Sequence, residues 1–208
     1  VKFLAHYKQT QALRLITKHA GEFRARFGRD SGGLIRGYRT QDAEVIVVAM
    51  GSVCGTIKDT IDEMRDEGVP IGLVTIISYR PFPSAALRNA LAGAKDVVVV
   101  EKAISVGMGG PLAIDVDEAL RNLPHPPQLH SVVAGLGGRP ILKSSLDRIF
   151  REALVQPWEG TQFLDLNVRV VGREIHRTAK TRRTGPTAEA LLRHLAAEER
   201  EAAGKGRG

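Results

Sequence analysis

One cysteine, Cys54, stands among the 208 residues, so no internal disulfide framework can form and no cysteine-based zinc or iron–sulfur site can be built from this chain alone. Any cluster must come from a partner. Aromatic residues make up 5% of the chain, which leaves few rings on which nucleic-acid bases could stack. No run approaches the roughly 18–20 apolar residues needed to cross a bilayer, and the first residues lack a signal peptide's order of basic, apolar and small segments. This composition reads as cytoplasmic, with no membrane partner. The six histidines are scattered, without a His-x-x-x-His pair or nearby paired carboxylates, so no metal site is expected.

Charge is present in ordinary amount but unevenly placed. Of the formal +7, residues 1–167 carry 20 Lys/Arg against 18 Asp/Glu, and residues 168–208 carry 10 against 5. The body is nearly neutral and the tail is basic. Such a tail can bind RNA, an acidic protein or nothing. With so few aromatics, specific nucleic-acid binding is not expected.

What the sequence does have is alternation of strand and helix. Glu44–Met50 is an almost unbroken run of β-branched residues, as suits a strand covered on both faces. Gly51-Ser-Val-Cys-Gly-Thr56 follows as a turn in which Gly51 and Gly55 let the backbone bend. A helix from Ile57 to Gly68 comes next, with Ile57, Ile61 and Met64 on one face. Pro70–Tyr79 is a second strand, closed by Arg80-Pro-Phe-Pro83 ahead of a helix over Ser84–Leu91. Val97–Glu101 is a third strand; Ser105-Val-Gly-Met-Gly-Gly-Pro111 feeds a helix over Leu112–Leu123. Leu129–Ala134 is a fourth, and Gly135-Leu-Gly-Gly-Arg-Pro140 turns into a helix over Ser144–Leu154. This order predicts an α/β fold with a mostly parallel sheet between helices and room for one mixed edge strand.

The flanks read differently. A helix is expected from about Thr10 to Phe27, then a connector to Asp42, so residues 1–42 lead in from a preceding domain and 43–156 form the α/β domain. A chain that opens on Val1, directly in a helix, reads as a fragment or as one with a non-standard start. Residues 157–208 form a docking segment around Trp158 and a basic, partly disordered tail, mobile over Arg177–Pro186, with a helix around Leu191, Leu192 and Leu195 and a frayed end.

Each glycine turn lies after a strand and before a helix, where free backbone N–H groups can receive an anion. The motifs are nevertheless incomplete. Gly51–Thr56 resembles a phosphate loop without its lysine, because Ile57 separates Thr56 from Lys58, and it also lacks the spacing of a nucleophile elbow. Gly107-Met-Gly-Gly110 and Gly135-Leu-Gly-Gly138 miss the third glycine of the dinucleotide fingerprint. Ser52, Thr56, Ser105 and Arg139 are candidates to line the carboxyl edge of the sheet. Cys54 reads as a small buried thiol, and Glu101 either caps a helix or pairs with Lys102 or Arg139.

Gly28-Arg-Asp-Ser-Gly-Gly-Leu-Ile-Arg-Gly-Tyr-Arg-Thr40, Gly51–Thr56, Tyr79–Pro83, Ser105–Leu112 and Ala134–Arg139 also occur in a recognisable order. In that order the chain resembles the C-terminal region of the α subunit of pyruvate and other 2-oxoacid:ferredoxin oxidoreductases, over about residues 20–150. The resemblance implies a domain like the transketolase C-terminal domain, with a five-stranded, mostly parallel sheet. It implies an assembly that decarboxylates a 2-oxoacid on thiamine diphosphate with Mg, passes electrons through iron–sulfur clusters to ferredoxin, and forms an acyl-CoA from CoA. Its partners would be a β subunit carrying thiamine diphosphate and clusters, with γ and δ subunits as further candidates in a hetero-oligomer. The groups that serve the cofactor belong to the preceding domain and the β subunit, so no catalytic residue is carried over. Cys54 departs from the expected small residue, and the tail after Trp158 has no counterpart.

Two functions follow. In the first, the chain is an assembly domain, inactive alone, whose loops at Gly51, Ser52, Gly55, Thr56, Ser105, Gly107, Gly109, Gly110 and Arg139 face its neighbours. In the second, the glycine turns Gly51–Thr56 and Gly107–Gly110 form a stand-alone anion-binding module for CoA or a nucleotide. A weaker third makes the tail an RNA-binding arm.

Overall fold

The computed structural model describes residues 1–181. They form α1 (Lys2–Phe27), β1 (Ile35–Tyr38), β2 (Val45–Ala49), α2 (Val53–Asp66), β3 (Ile71–Ile76), α3 (Ser84–Leu91), β4 (Asp96–Glu101), α4 (Pro111–Leu120), β5 (Gln128–Val133), α5 (Lys143–Val155), β6 (Thr161–Phe163) and α6 (Val168–Thr181), with a 3-10 turn at Leu136–Gly138. The chain divides into two units, Val1–Asp165 and Leu166–Gly208. No helix among the described residues is long and apolar enough to cross a membrane.

The α/β class is as expected: one six-stranded sheet of order β1-β3-β2-β4-β5-β6. All neighbours run parallel except β1, which pairs antiparallel with β3. β2 lies inside, and all five of its residues are buried. Its alternating side chains feed two cores. Val45, Val47 and Ala49 pack with Ile57, Ile61 and Met64 of α2 and Leu146, Ile149 and Phe150 of α5. Ile46 and Val48 pack with Leu87 and Leu91 of α3 and Leu112 and Val116 of α4. The helices thus form a layer on each face, as an apolar strand with no polar side requires.

The sheet has two more strands than the four predicted. The connector over 34–42 contains β1, an edge strand whose burial is only partial at Ile35 and Tyr38 and absent between them. β6 adds three residues beside β5. Trp158, just before β6, packs on the first core and meets the His130 ring with centroids 4.6 Å apart, so this segment does return to the body. His130 is buried and bonds Asp96 at 2.8 Å.

The helix bounds also shift. α1 begins at Lys2 rather than Thr10 and buries none of its residues, leaving Phe3, Leu4, Tyr7 and Leu15 exposed. α2 begins at Val53, so Gly55 lies within the helix and is no part of the turn; Gly51 alone bends there, at φ 78°. In the second unit, α6 carries residues 177–181 in helical form, where mobility was expected. Asn167 caps α6 by accepting the Val170 amide at 3.1 Å. The helix predicted around Leu191, Leu192 and Leu195, the frayed end and the rest of the basic tail lie outside the described residues.

Candidate functional site

The crossover from β2 leads to β3 on one side, and the next, from β3, passes back across β2 to β4 on the other. The loop after β2 enters α2 on one face of the sheet; the loop after β4 enters α4 on the other. Between the carboxyl ends of these two strands the layers part, which is where open α/β sheets hold their ligands. A cleft of ≈ 710 Å³ opens there. Gly51, Ser52, Val53 and Thr56 come from the β2–α2 turn, Tyr79 from the segment after β3, Glu101, Lys102 and Ala103 from β4 and beyond, Pro111 and Leu112 from α4, and Gly135, Arg139 and Ile141 from the loop after β5.

Of the predicted site residues, the cleft brings together Gly51, Ser52, Thr56 and Arg139. Gly55, Ser105, Gly107, Gly109 and Gly110 do not line it. Ser105, Gly107 and Gly109 belong instead to a tight turn closed by Ser105–Gly109 backbone bonds of 2.8 and 3.0 Å. The turn holds Val106 94% exposed and Met108 73% exposed. Sequence reasoning missed Tyr79 and Lys102 as lining residues, though each lies just past the end of a strand, and that position was a usable signal.

Glu101 is the most constrained group in the wall. It ends β4 only 7% exposed, and its carboxylate accepts the amides of Leu112 and Ala113, each at 2.9 Å. These are donors of the first turn of α4, left without intrahelical partners. Of the two readings open for Glu101, the structure shows the cap, with no ion pair to Lys102 or Arg139. Burial pushes its carboxyl above the usual range, outweighing the two amides that favour the anion. Gly110 must be glycine for want of space: a Cβ there would run into the Glu101 carboxylate.

The other walls are tied down. The Tyr79 hydroxyl donates to Asp115 at 2.7 Å, Arg80 pairs with Asp115 at 2.8 Å, and the Arg80 guanidinium lies 3.9 Å from the Tyr79 ring centre. Burial and Asp115 together push the Tyr79 phenol up. Arg139 donates to the Asp165 carbonyl at 2.8 Å. Cys54 is buried, and desolvation pushes its thiol up despite its place in the first turn of α2.

Residues 43–145, which span these strands and the cleft, match the pyruvate:ferredoxin oxidoreductase core domain II family. The chain belongs to the 2-oxoacid:ferredoxin oxidoreductase family. It is 37% identical over 151 residues to pyruvate synthase subunit PorA of Methanothermobacter thermautotrophicus, a match covering 71% of this chain and 38% of the relative. It is 42% identical over 135 residues to PorA of Thermotoga maritima, covering 65% and 34%. The chain thus spans well under half the length of these relatives. Among solved structures it is similar to a 2-oxoglutarate:ferredoxin oxidoreductase of Magnetococcus marinus at 16% identity and TM-score 0.44, over 64% of this chain and 21% of that one. It is also similar to a split-gene transketolase at 19% identity and TM-score 0.46, over 59% and 43%.

Members of an oxidoreductase family of this kind imply thiamine diphosphate and iron–sulfur clusters in the assembled enzyme. The donors that a cluster, or the metal of a diphosphate, would need are not assembled among the described residues. Its one cysteine is buried, whereas a cluster takes several thiolates. Among the described residues no three His, Cys, Asp or Glu side chains come together to hold a metal ion such as the one that accompanies a diphosphate. Glu101 has both oxygens committed to α4.

Proposed function

We propose that this chain is the C-terminal structural and assembly domain of the α subunit of a thiamine-diphosphate-dependent 2-oxoacid:ferredoxin oxidoreductase acting on pyruvate in the cytoplasm. The assembled enzyme would decarboxylate the 2-oxoacid, deliver electrons to ferredoxin and form an acyl-CoA. Thiamine diphosphate, Mg and the clusters would sit with the preceding domain and the β subunit. Ferredoxin would be the electron acceptor, with γ and δ subunits as further members of the hetero-oligomer.

One observation carries this reading: the family segment over residues 43–145 is present, while the chain has one cysteine and no group of metal-ligating side chains comes together among the described residues. The exposed Val106 and Met108 support it, because two large apolar side chains at the tip of a closed turn favour contact with another protein surface. We assign the β subunit as the occupant of that surface, since it supplies the donors this chain lacks. The test is pyruvate- and CoA-dependent viologen reduction by the chain alone and with the β subunit added. No reduction by the isolated chain is expected. Turnover by the isolated chain would overturn the proposal.

A further inference from the structure

The cleft between β2 and β4 has a chemistry that protein packing alone does not call for. Its volume of ≈ 710 Å³ falls within the range of about 300–1,000 Å³ of small-molecule sites. Much of its lining is apolar, including Met50, Val100 and Leu112, and Tyr79 adds an aromatic ring. Two cations, Lys102 and Arg139, reach it from different loops. Among the described residues nothing pairs with Lys102, and Arg139 spends one N–H on the Asp165 carbonyl out of the five a guanidinium carries. Ser52 and Thr56 line the cleft as well, and Ser52 makes no capping bond to its own helix.

The one acid in the wall does not cancel this charge where it would matter. Glu101 is turned onto α4 and occupies the amides of Leu112 and Ala113, which closes that helix's N-terminus to any ligand. The Gly51–Val53 backbone at the start of α2, by contrast, lines the cleft. An anion is therefore favoured on the α2 side, between Lys102 and Arg139, while an apolar or aromatic body is favoured on the floor.

We propose that this cleft binds a nucleoside phosphate, with its phosphates held by Lys102, Arg139 and the Gly51–Val53 turn and its base against Tyr79 and the apolar floor. The proposal rests on the cleft and goes beyond the assembly role, which stands or falls separately through the β subunit.

The probe is ADP, titrated into the full ¹⁵N-labelled chain, with adenosine and inorganic phosphate as separate arms. ADP is expected to shift the amides of Gly51, Ser52, Val53 and Gly135 with a Kd of about 1 mM or tighter, so that about 10 mM fills the site. Adenosine and phosphate should each bind about tenfold more weakly or less, because each supplies half of the contacts. Lys102→Ala should weaken ADP about tenfold and Lys102→Arg should restore most of the loss. Lys95→Ala, at the opposite end of the sheet in a pair with Glu44, should change nothing. No shift with ADP, shifts confined to other residues, phosphate binding as tightly as ADP, or equal losses in Lys102→Ala and Lys95→Ala would each overturn the proposal.

Discussion

Gly110 stands so close to Glu101 that the smallest side chain on the glycine would collide with the carboxylate. Gly110 precedes α4, and Glu101 ends β4, so this contact sets how the helix start meets the end of the strand. Its backbone, at φ −76° and ψ 123°, is open to any residue; space alone demands glycine.

Gly110→Ala is accordingly expected to destabilise the fold by about 1–3 kcal/mol, the usual cost of forcing atoms into a packed site. Urea denaturation of the two proteins measures it. A loss within error would mean that Glu101 can swing aside without cost.

Glu101 also gives a pH signature. Its folded carboxyl titrates above the ordinary range because burial disfavours the anion. The folded state therefore holds the proton more tightly than the unfolded one, and stability falls as pH rises from the ordinary carboxylate range through the raised value. Glu101→Gln removes that titration. The stability of the native protein relative to the variant should decline across this window, as read by denaturation at a series of pH values. A difference that grows with pH would show that the two amide bonds outweigh burial.

The two glycines of the first turn separate by conformation. Gly51 sits at φ 78°, where an alanine pays about 1–2 kcal/mol. Gly55 is exposed, helical and has nothing within 4 Å of a new Cβ, so Gly55→Ala should stabilise by about 0.5–1 kcal/mol. Thermal melts of the pair should move in opposite directions.

Cys54 should be slow toward a thiol reagent in the native state and fast after denaturation, because burial holds it as the neutral thiol. Rapid native labelling, timed by the absorbance of the released thiolate, would contradict the buried position.

The parallel core was legible because continuous β-branched runs such as Val45–Ala49 and Val97–Val100 have one physical solution, burial on both faces. β1 was not, since Ile35-Arg-Gly-Tyr38 has two half-buried ends around exposed residues and exists as a strand only through its pairing with β3. The site was legible in part. Ser52, Thr56 and Arg139 were found from strand-end glycine turns, and those turns do meet at the switch point. Ser105, Gly107 and Gly109 were not separable from them, because a turn that closes on itself and a turn that faces a cleft share the same glycines. Lys102 and Tyr79 lie just past strand ends, a signal that the glycine turns overshadowed, and the strand order then puts their loops side by side.

The central claim, that this domain serves assembly through the exposed turn at Val106 and Met108, is tested most directly by sedimentation velocity of the chain mixed with the β subunit. The native chain is predicted to co-sediment with it, and the double variant Val106→Asp, Met108→Asp to sediment apart while keeping its own fold. A native chain that does not bind, or a variant that binds equally well, would contradict the account.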